Sequence, residues 1–361
     1  MGRGMRSPTL ILLLGVAGGA ARAAAPADDP PPGGERPTAA VIAPLAVRSL
    51  LLDVKALPDG RLITVGERGH VLASGDGGDT WRQAPVPVRS TLTAAYFADA
   101  RRGWVVGHDE VILRTVDGGS NWYLAHYAPE REQPLLGVWF DAAGHGFAVG
   151  AYSTIYRSDD AGATWKNVAF NPEPLPAPGR AKPRPARKQT LDTVEDMRAE
   201  AWTVEPHLNS IIGTASGRLY ATGEAGHLFR SDDRGEHWLE LPSPYEGSFF
   251  GVLPLEGDAL VAFGLRGHLF RSDDAGRSWQ ALASGTEALL AGATRLPDGT
   301  IVVAGLEGVV LVSSDGGRSF RLHQEADRQG FSAVATAAGG VVLCGEAGVR
   351  RLKLEELTAV R

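Results

Sequence analysis

One short motif occurs six times in this chain, and its spacing constrains the fold more than any other feature. It reads Ser74-x-Asp76-x-Gly78-x-x-Trp81, opens once with Thr115 in place of Ser, and ends in turn at Trp122, Trp165, Trp238, Trp279 and Phe320. The motif aspartates are Asp76, Asp117, Asp160, Asp233, Asp274 and Asp315, spaced 41, 43, 73, 41 and 41 residues apart. A fixed period of this size marks a repeat architecture, in which each unit packs only against its neighbours.

The rest of each unit agrees. Upstream of every motif an apolar run ends in glycine, at Gly66, Gly107, Gly150, Gly223, Gly264 and Gly305. A seventh, Gly345, follows Val341–Cys344 and has no motif after it, so there are seven units and the last is short. Between glycine and motif the chain alternates, as in Gly226-His227-Leu228-Phe229-Arg230-Ser231, which suits a half-buried strand. In the first unit the strands fall near 50–57, 61–66, 70–74 and 80–86. Four short strands per repeat of about 41 residues predict a propeller blade.

The motif itself has a mechanical explanation. It falls in the turn between a blade's third and fourth strands. Short Ser and Asp side chains can bond to nearby backbone amides and hold such a turn from within. The terminal aromatic buries apolar area. Five of the eight tryptophans occupy this one position, Trp81, Trp122, Trp165, Trp238 and Trp279, which argues for packing. A calcium loop would need more carboxylates and a closing Glu. His70, His227 and His268 recur at one repeat position in different blades, so their periodicity is structural and no metal or other cofactor is expected.

The motif resembles the Asp-box, or bacterial neuraminidase repeat, which sialidases carry on a six-bladed propeller. The chain is more similar to a second Asp-box family: the photosystem II assembly and stability factors of cyanobacteria and chloroplasts, with their non-photosynthetic bacterial relatives. Their local pattern Gly-x-x-Gly-x-(apolar)-x-Arg-(Ser/Thr)-x-Asp-x-Gly stands nearly complete as Gly223–Gly235 and Gly264–Gly276. The resemblance spans residues 40–354, apart from one insertion. It implies an all-β, seven-bladed β-propeller with Asp-box turns. A fold hosts many functions, so function must be read from the surface it presents.

The N-terminus reads as an export signal. Residues 8–20 are apolar, follow Arg3 and Arg6, and precede the small-residue site Ala21-Arg22-Ala23. Cleavage after Ala23 is favoured over Ala25, because Pro26 would follow the latter bond. The apolar run is short and glycine-rich for a membrane span, so the mature chain (24 onward) is expected to have none and to be periplasmic or otherwise exported. Residues 24–38, rich in Pro, Gly and acid, read as a disordered tether. The formal charge is −6, and loss of the three signal arginines with no acid leaves −9. That balance gives no support for nucleic-acid binding. The single cysteine, Cys344, excludes an intramolecular disulfide and lies in an apolar run, where a buried thiol is expected.

A propeller must close. The last unit offers three strands, near 332–336, 340–344 and 349–354. The apolar segment 39–47 is expected to pair beside them as the missing outer strand, with 355–361 left as a tail. The long interval holds an insertion over about 171–206. Its first half carries Arg180, Lys182, Arg184, Arg187 and Lys188, and 189–202 reads as a short helix. Connections between blades share a face with the turns between second and third strands. The insertion therefore belongs on that face, opposite the motif turns. The same face would carry Glu67, Arg68, His108, Asp109, Glu110, Tyr152, Glu224, Arg266, Glu307 and Glu346. With the basic run, these residues other than Glu67 and Glu110 are the candidate binding residues.

Catalytic signatures are lacking. The early Phe/Tyr-Arg-Ile-Pro signature of sialidases is absent, and the only adjacent Tyr-Glu pair is Tyr245-Glu246 in an inter-blade loop. No Gly-x-Ser-x-Gly or His-Glu-x-x-His occurs. The reading is a non-catalytic, monomeric exported propeller that binds a protein partner in the envelope or an exported membrane complex, as an assembly factor or scaffold. A sialidase-like glycan-binding or glycoside-hydrolase propeller is the alternative, and an accessory subunit of an envelope export complex is a third.

Overall fold

The alternating runs between glycines and motifs do become antiparallel strands. A computed structural model describes residues 37–176 and 205–358, and there the strands group into seven small sheets. Blade one holds Leu51–Ala56, Leu62–Gly66, Val71–Ser74 and Arg82–Gln83, each paired to the next. Blades two to six repeat this order, beginning at Leu92, Leu135, Leu208, Phe249 and Leu290. The second strand of every blade is wholly buried. First strands pack on first strands all the way round, and that of blade seven, Phe331–Ala337, packs against that of blade one. The ring is therefore a closed seven-bladed propeller. Its core is a series of apolar layers between blades, such as Ile63, Val65, Val105 and Leu113 between the first two.

The repeated motif forms one turn six times. In each copy the hydroxyl donates to the first aspartate oxygen at 2.8–2.9 Å. The glycine amide donates to the hydroxyl oxygen at 2.8–3.0 Å. The amide four residues after Asp donates to the same carboxylate at 2.8–3.0 Å. Of the motif aromatics, Trp122 and Trp238 are buried, while Trp81, Trp165, Trp279 and Phe320 are half-buried. The indoles of Trp81 and Trp122 also bond back to the motif glycine carbonyl. Motif loops accept bonds from the preceding blade as well. Arg61 reaches the Gly118 carbonyl, Trp104 that of Ala161, Arg230 that of Ala275 and Arg271 that of Gly316.

Three expectations need correction or extension. The segment 39–47 is not an outer strand of blade seven, whose sheet stops at three strands, Phe331–Ala337, Gly340–Gly345 and Gly348–Lys353. Instead Ala40 bonds to Val86, and the Gln83 side chain takes the Ala43 amide and Val41 carbonyl, so the segment lies along blade one. A 3-10 turn, Ala46–Arg48, then packs against Gly348–Lys353. Ala46 joins Leu51, Val342 and Cys344 in one buried cluster, so the seam is closed by packing rather than by pairing. Beyond the last strand, a short helix, Leu354–Thr358, replaces the expected tail and buries Leu357. The insertion opens by adding a strand, Glu173–Pro174, parallel to the outer strand of blade four, Leu239–Glu240. The expected signal and most of the tether, the five basic residues from Arg180 to Lys188 and the expected helix at 189–202 lie outside the described residues.

Candidate functional site

The turns between second and third strands form the candidate face, and the glycine before each explains their shape. Gly66 is extended, but a Cβ on it would stand 2.2 Å from the Leu50 carbonyl, so only glycine lets the strand end press on its neighbour. The next residues must then turn sharply. In six blades a non-glycine residue takes up left-handed backbone there: Arg68, Asp109, Tyr152, Ala225, Arg266 and Glu307, with φ from 49° to 61°. Such conformations are costly for side-chain-bearing residues and persist when the surroundings impose them. The repeat thus fixes the backbone and leaves the side chain free to differ from blade to blade.

Of the residues expected on this face, several are occupied locally. Ser90 donates to Asp109 at 2.6 Å, Arg328 to Glu307 at 3.2 Å, and the Gly330 amide to Glu346 at 2.9 Å. Glu224 faces His207 at 3.7 Å, and Tyr152 stands edge-on to the same ring, 54% exposed. Arg68, His108 and Arg266 are exposed, and their side chains have no partner among the described residues. They are the available polar heads of the face.

One cluster escaped the sequence reading. Glu110, with φ of 50°, is fully buried and accepts from Tyr156 at 2.7 Å, with Arg131 at 3.4 Å and the His126 ring at 3.5 Å. Burial opposes its ionisation. The His126 and Tyr156 hydrogen bonds and the Arg131 charge outweigh that, and the carboxyl is held below its ordinary range. Burial, then the Glu110 bond and charge, push the Tyr156 phenol up to about 12. That is the reverse of what a phenolate nucleophile needs, so this Tyr–Glu pair is a structural tie. The signal was present in the sequence: Glu110 stands where four other blades place Gly69, Gly226, Gly267 and Gly308.

The other candidates also resolve. Tyr245 stacks on His268 with ring centroids 3.9 Å apart, while Glu246 is exposed. Burial lowers the proton affinity of His70, His227 faces Glu240 at 2.8 Å, and the three repeat-position histidines stay in separate blades. Cys344 is buried. On the motif face a cleft of about 450 Å³ opens between blades three and four, lined by Tyr96, Trp139, Thr214 and Arg234. No described helix is long and apolar enough to cross a membrane.

The described strands define a closed seven-bladed propeller with a face of individually varied turns, and its sequence is similar in part to photosystem II assembly factors. The sequence model described as photosynthesis system II assembly factor YCF48 matches residues 38–130. Photosystem II stability/assembly factor HCF136 of Arabidopsis thaliana is 30% identical over 89 residues, 23% of this chain and 22% of that protein. The chain thus matches less than a quarter of that relative's length. In fold it is similar to a structure of YCF48 bound to D1 peptide, with TM-score 0.61 and 17% identity, over 87% of this chain and 98% of that one. YCF48 from Cyanidioschyzon merolae gives 0.60 at 16% identity, over 86% and 97%. The WD40 propeller domain of Doa1 gives 0.60 at 12%, over 88% and 95%, so these structural likenesses speak to fold alone.

Proposed function

We propose that this protein is an exported, non-catalytic propeller that binds a protein partner as an assembly factor or scaffold. The observation that carries the reading is the match of residues 38–130 to an assembly-factor model, set in a complete seven-bladed ring. A YCF48 structure of the same fold is described as bound to D1 peptide, which supports a protein partner for this chain too. The N-terminal signal pattern supports export, and the partner then lies in the envelope or an exported membrane complex. The protein acts as a monomer. The docking face is that of the second-to-third-strand turns, where Arg68, His108 and Arg266 offer unengaged polar heads beside Tyr152. Glu224, Glu307, Glu346 and Asp109 shape its charge, and Arg180, Lys182, Arg184, Arg187 and Lys188 add a cationic run that steers an acidic partner.

The test is site-specific photocrosslinking in the native membrane fraction. A photoreactive residue at Tyr152 should yield one adduct with an integral membrane protein, and one at Thr80 on the motif face should not. Changing Arg68 and Arg266 together to Ala should remove the adduct. Equal adducts from both faces would refute the docking face, and sialoside hydrolysis above background would refute the non-catalytic reading.

A further inference from the structure

Blade seven differs from the other six in one respect. Among the described residues its sheet ends at the third strand, Gly348–Lys353, with no outer strand beside it. The register fixes which backbone groups are left over. The Leu354 amide bonds to the Gly339 carbonyl, and pairing continues in step from Gly340 with Lys353 to Gly345 with Gly348. Bonded and open pairs alternate along an antiparallel ladder. The amides of Gly348, Arg350 and Leu352 therefore face the second strand, and those of Val349, Arg351 and Lys353 face outward. The Glu356 carboxylate takes the Lys353 amide at 3.0 Å. The outward amides of Val349 and Arg351 have no partner among the described residues. A row of this kind is a template for one more strand.

Charge decides which strand. Arg350 is engaged by Glu325 and Asp327, and Arg351 by Asp79. Lys353 at one end of the edge is exposed, and its side chain has no partner among the described residues. Arg48 is in the same state at the other end, where its Cα lies 2.6 Å from a Cβ built on Gly348. The edge thus carries an unengaged cation at each end. A second copy pairing across a two-fold axis would bring these like charges together, which opposes self-association. The chain's own residues 26–36 include Pro26, Pro30, Pro31 and Pro32, which have no amide to offer a ladder. We propose that an extended acidic segment of a partner protein adds to Gly348–Lys353 as the outer strand of blade seven, its carboxylates meeting Arg48 and Lys353. The edge lies on the rim of the ring, apart from the turn face. It stands or falls separately from docking there.

The test uses two capped hexapeptide probes, Glu-Val-Thr-Val-Thr-Glu and the same sequence with Lys at both ends. In the unaltered protein the acidic probe should shift the NMR amide signals of Val349 and Arg351, and the lysine probe should bind about tenfold more weakly or worse. Arg351→Pro deletes one outward amide and no inward one, while Arg351→Ala keeps the amide and equally loses Asp79. The proline variant should bind the acidic probe about tenfold more weakly than the alanine variant. Equal affinities for the two probes, shifts that avoid the edge, or equal affinities of the two folded variants would overturn the proposal. So would a solution dimer dispersed by Arg351→Pro, which would give the edge to a second copy. If the proline variant does not fold, the amide shifts of the unaltered protein decide.

Discussion

The two faces of the ring use the same backbone repeat to opposite ends. On the motif face, side chains close hydrogen-bond circuits within seven residues, and six copies are nearly superimposable in chemistry. On the other face the backbone alone makes the turn, and the side chain at the left-handed position is Arg, Asp, Tyr, Ala, Arg or Glu. Where the side chain builds the turn, its identity is fixed. Where the main chain builds it, identity is free to vary. A likeness confined to the motif therefore reports on architecture, and under the proposed function the differences between blades are where a partner would be read.

Substitutions should separate the faces. The largest effect belongs to Trp238→Ala, which removes a buried indole from the layer between blades three and four and should cost ~3–5 kcal/mol in chemical denaturation. Asp233→Ala, which strips the acceptor from the His237 amide, the Ser231 hydroxyl and the His237 ring, should cost about 1–2 kcal/mol. By contrast, Tyr152→Ala on the other face should stay within about 0.5 kcal/mol of the parent. If Tyr152→Ala proved as destabilising as Asp233→Ala, the contrast between the faces would collapse.

Glu110 is the exception on the turn face, and acid should expose it. Its folded-state proton affinity is lowered, so its contribution is present above the ordinary value near 4.5 and is lost as pH falls through the folded value. The motif aspartates titrate in the same direction. Melting temperature should fall with pH in that range, and Glu110→Gln should make the decline shallower. An unchanged pH profile in the variant would show that the buried carboxylate is not ionised.

The smallest effect concerns His237, which holds in the fourth motif the place that Thr80, Thr164, Ser278 and Ser319 hold elsewhere. The bond to Asp233 raises its proton affinity above the ordinary 6.5. The ionic form of this contact is complete below that value and disappears as pH rises through the raised one. NMR titration of the ring should show the raised midpoint and its return toward 6.5 in Asp233→Asn. A midpoint indifferent to that change would mean the side chains do not pair in solution.

Much of this fold was legible because propeller contacts repeat in sequence. The period of the motif and the seventh strand-ending glycine, Gly345, led to the blade count, and alternation placed the strands of blade one within a few residues of their observed bounds. What sequence could not give were features made once. Gln83 capturing residues 41–43, Glu173–Pro174 joining blade four, and Glu110 meeting Tyr156 and Arg131 all join segments whose adjacency no period encodes. The candidate face was read as a set of polar turns. Only geometry separated Glu307 and Glu346, already engaged, from Arg68 and Arg266, which are not.

The packed seam also sets an order of events in the life of the chain. Leu51 and Val342 share one buried cluster although 291 residues separate them. While the polypeptide is being synthesised, each blade can stack on the one before it, but the flank of the first finds its match only after the last has appeared. Until then the protein is an arc with one uncovered apolar flank at each end. Such late, long-range closure is slow compared with local pairing. The interval before it is when the chain is most exposed to aggregation and to helpers that hold it open. Maturation of this ring is therefore governed by its last blade, and damage there would be felt first in blade one.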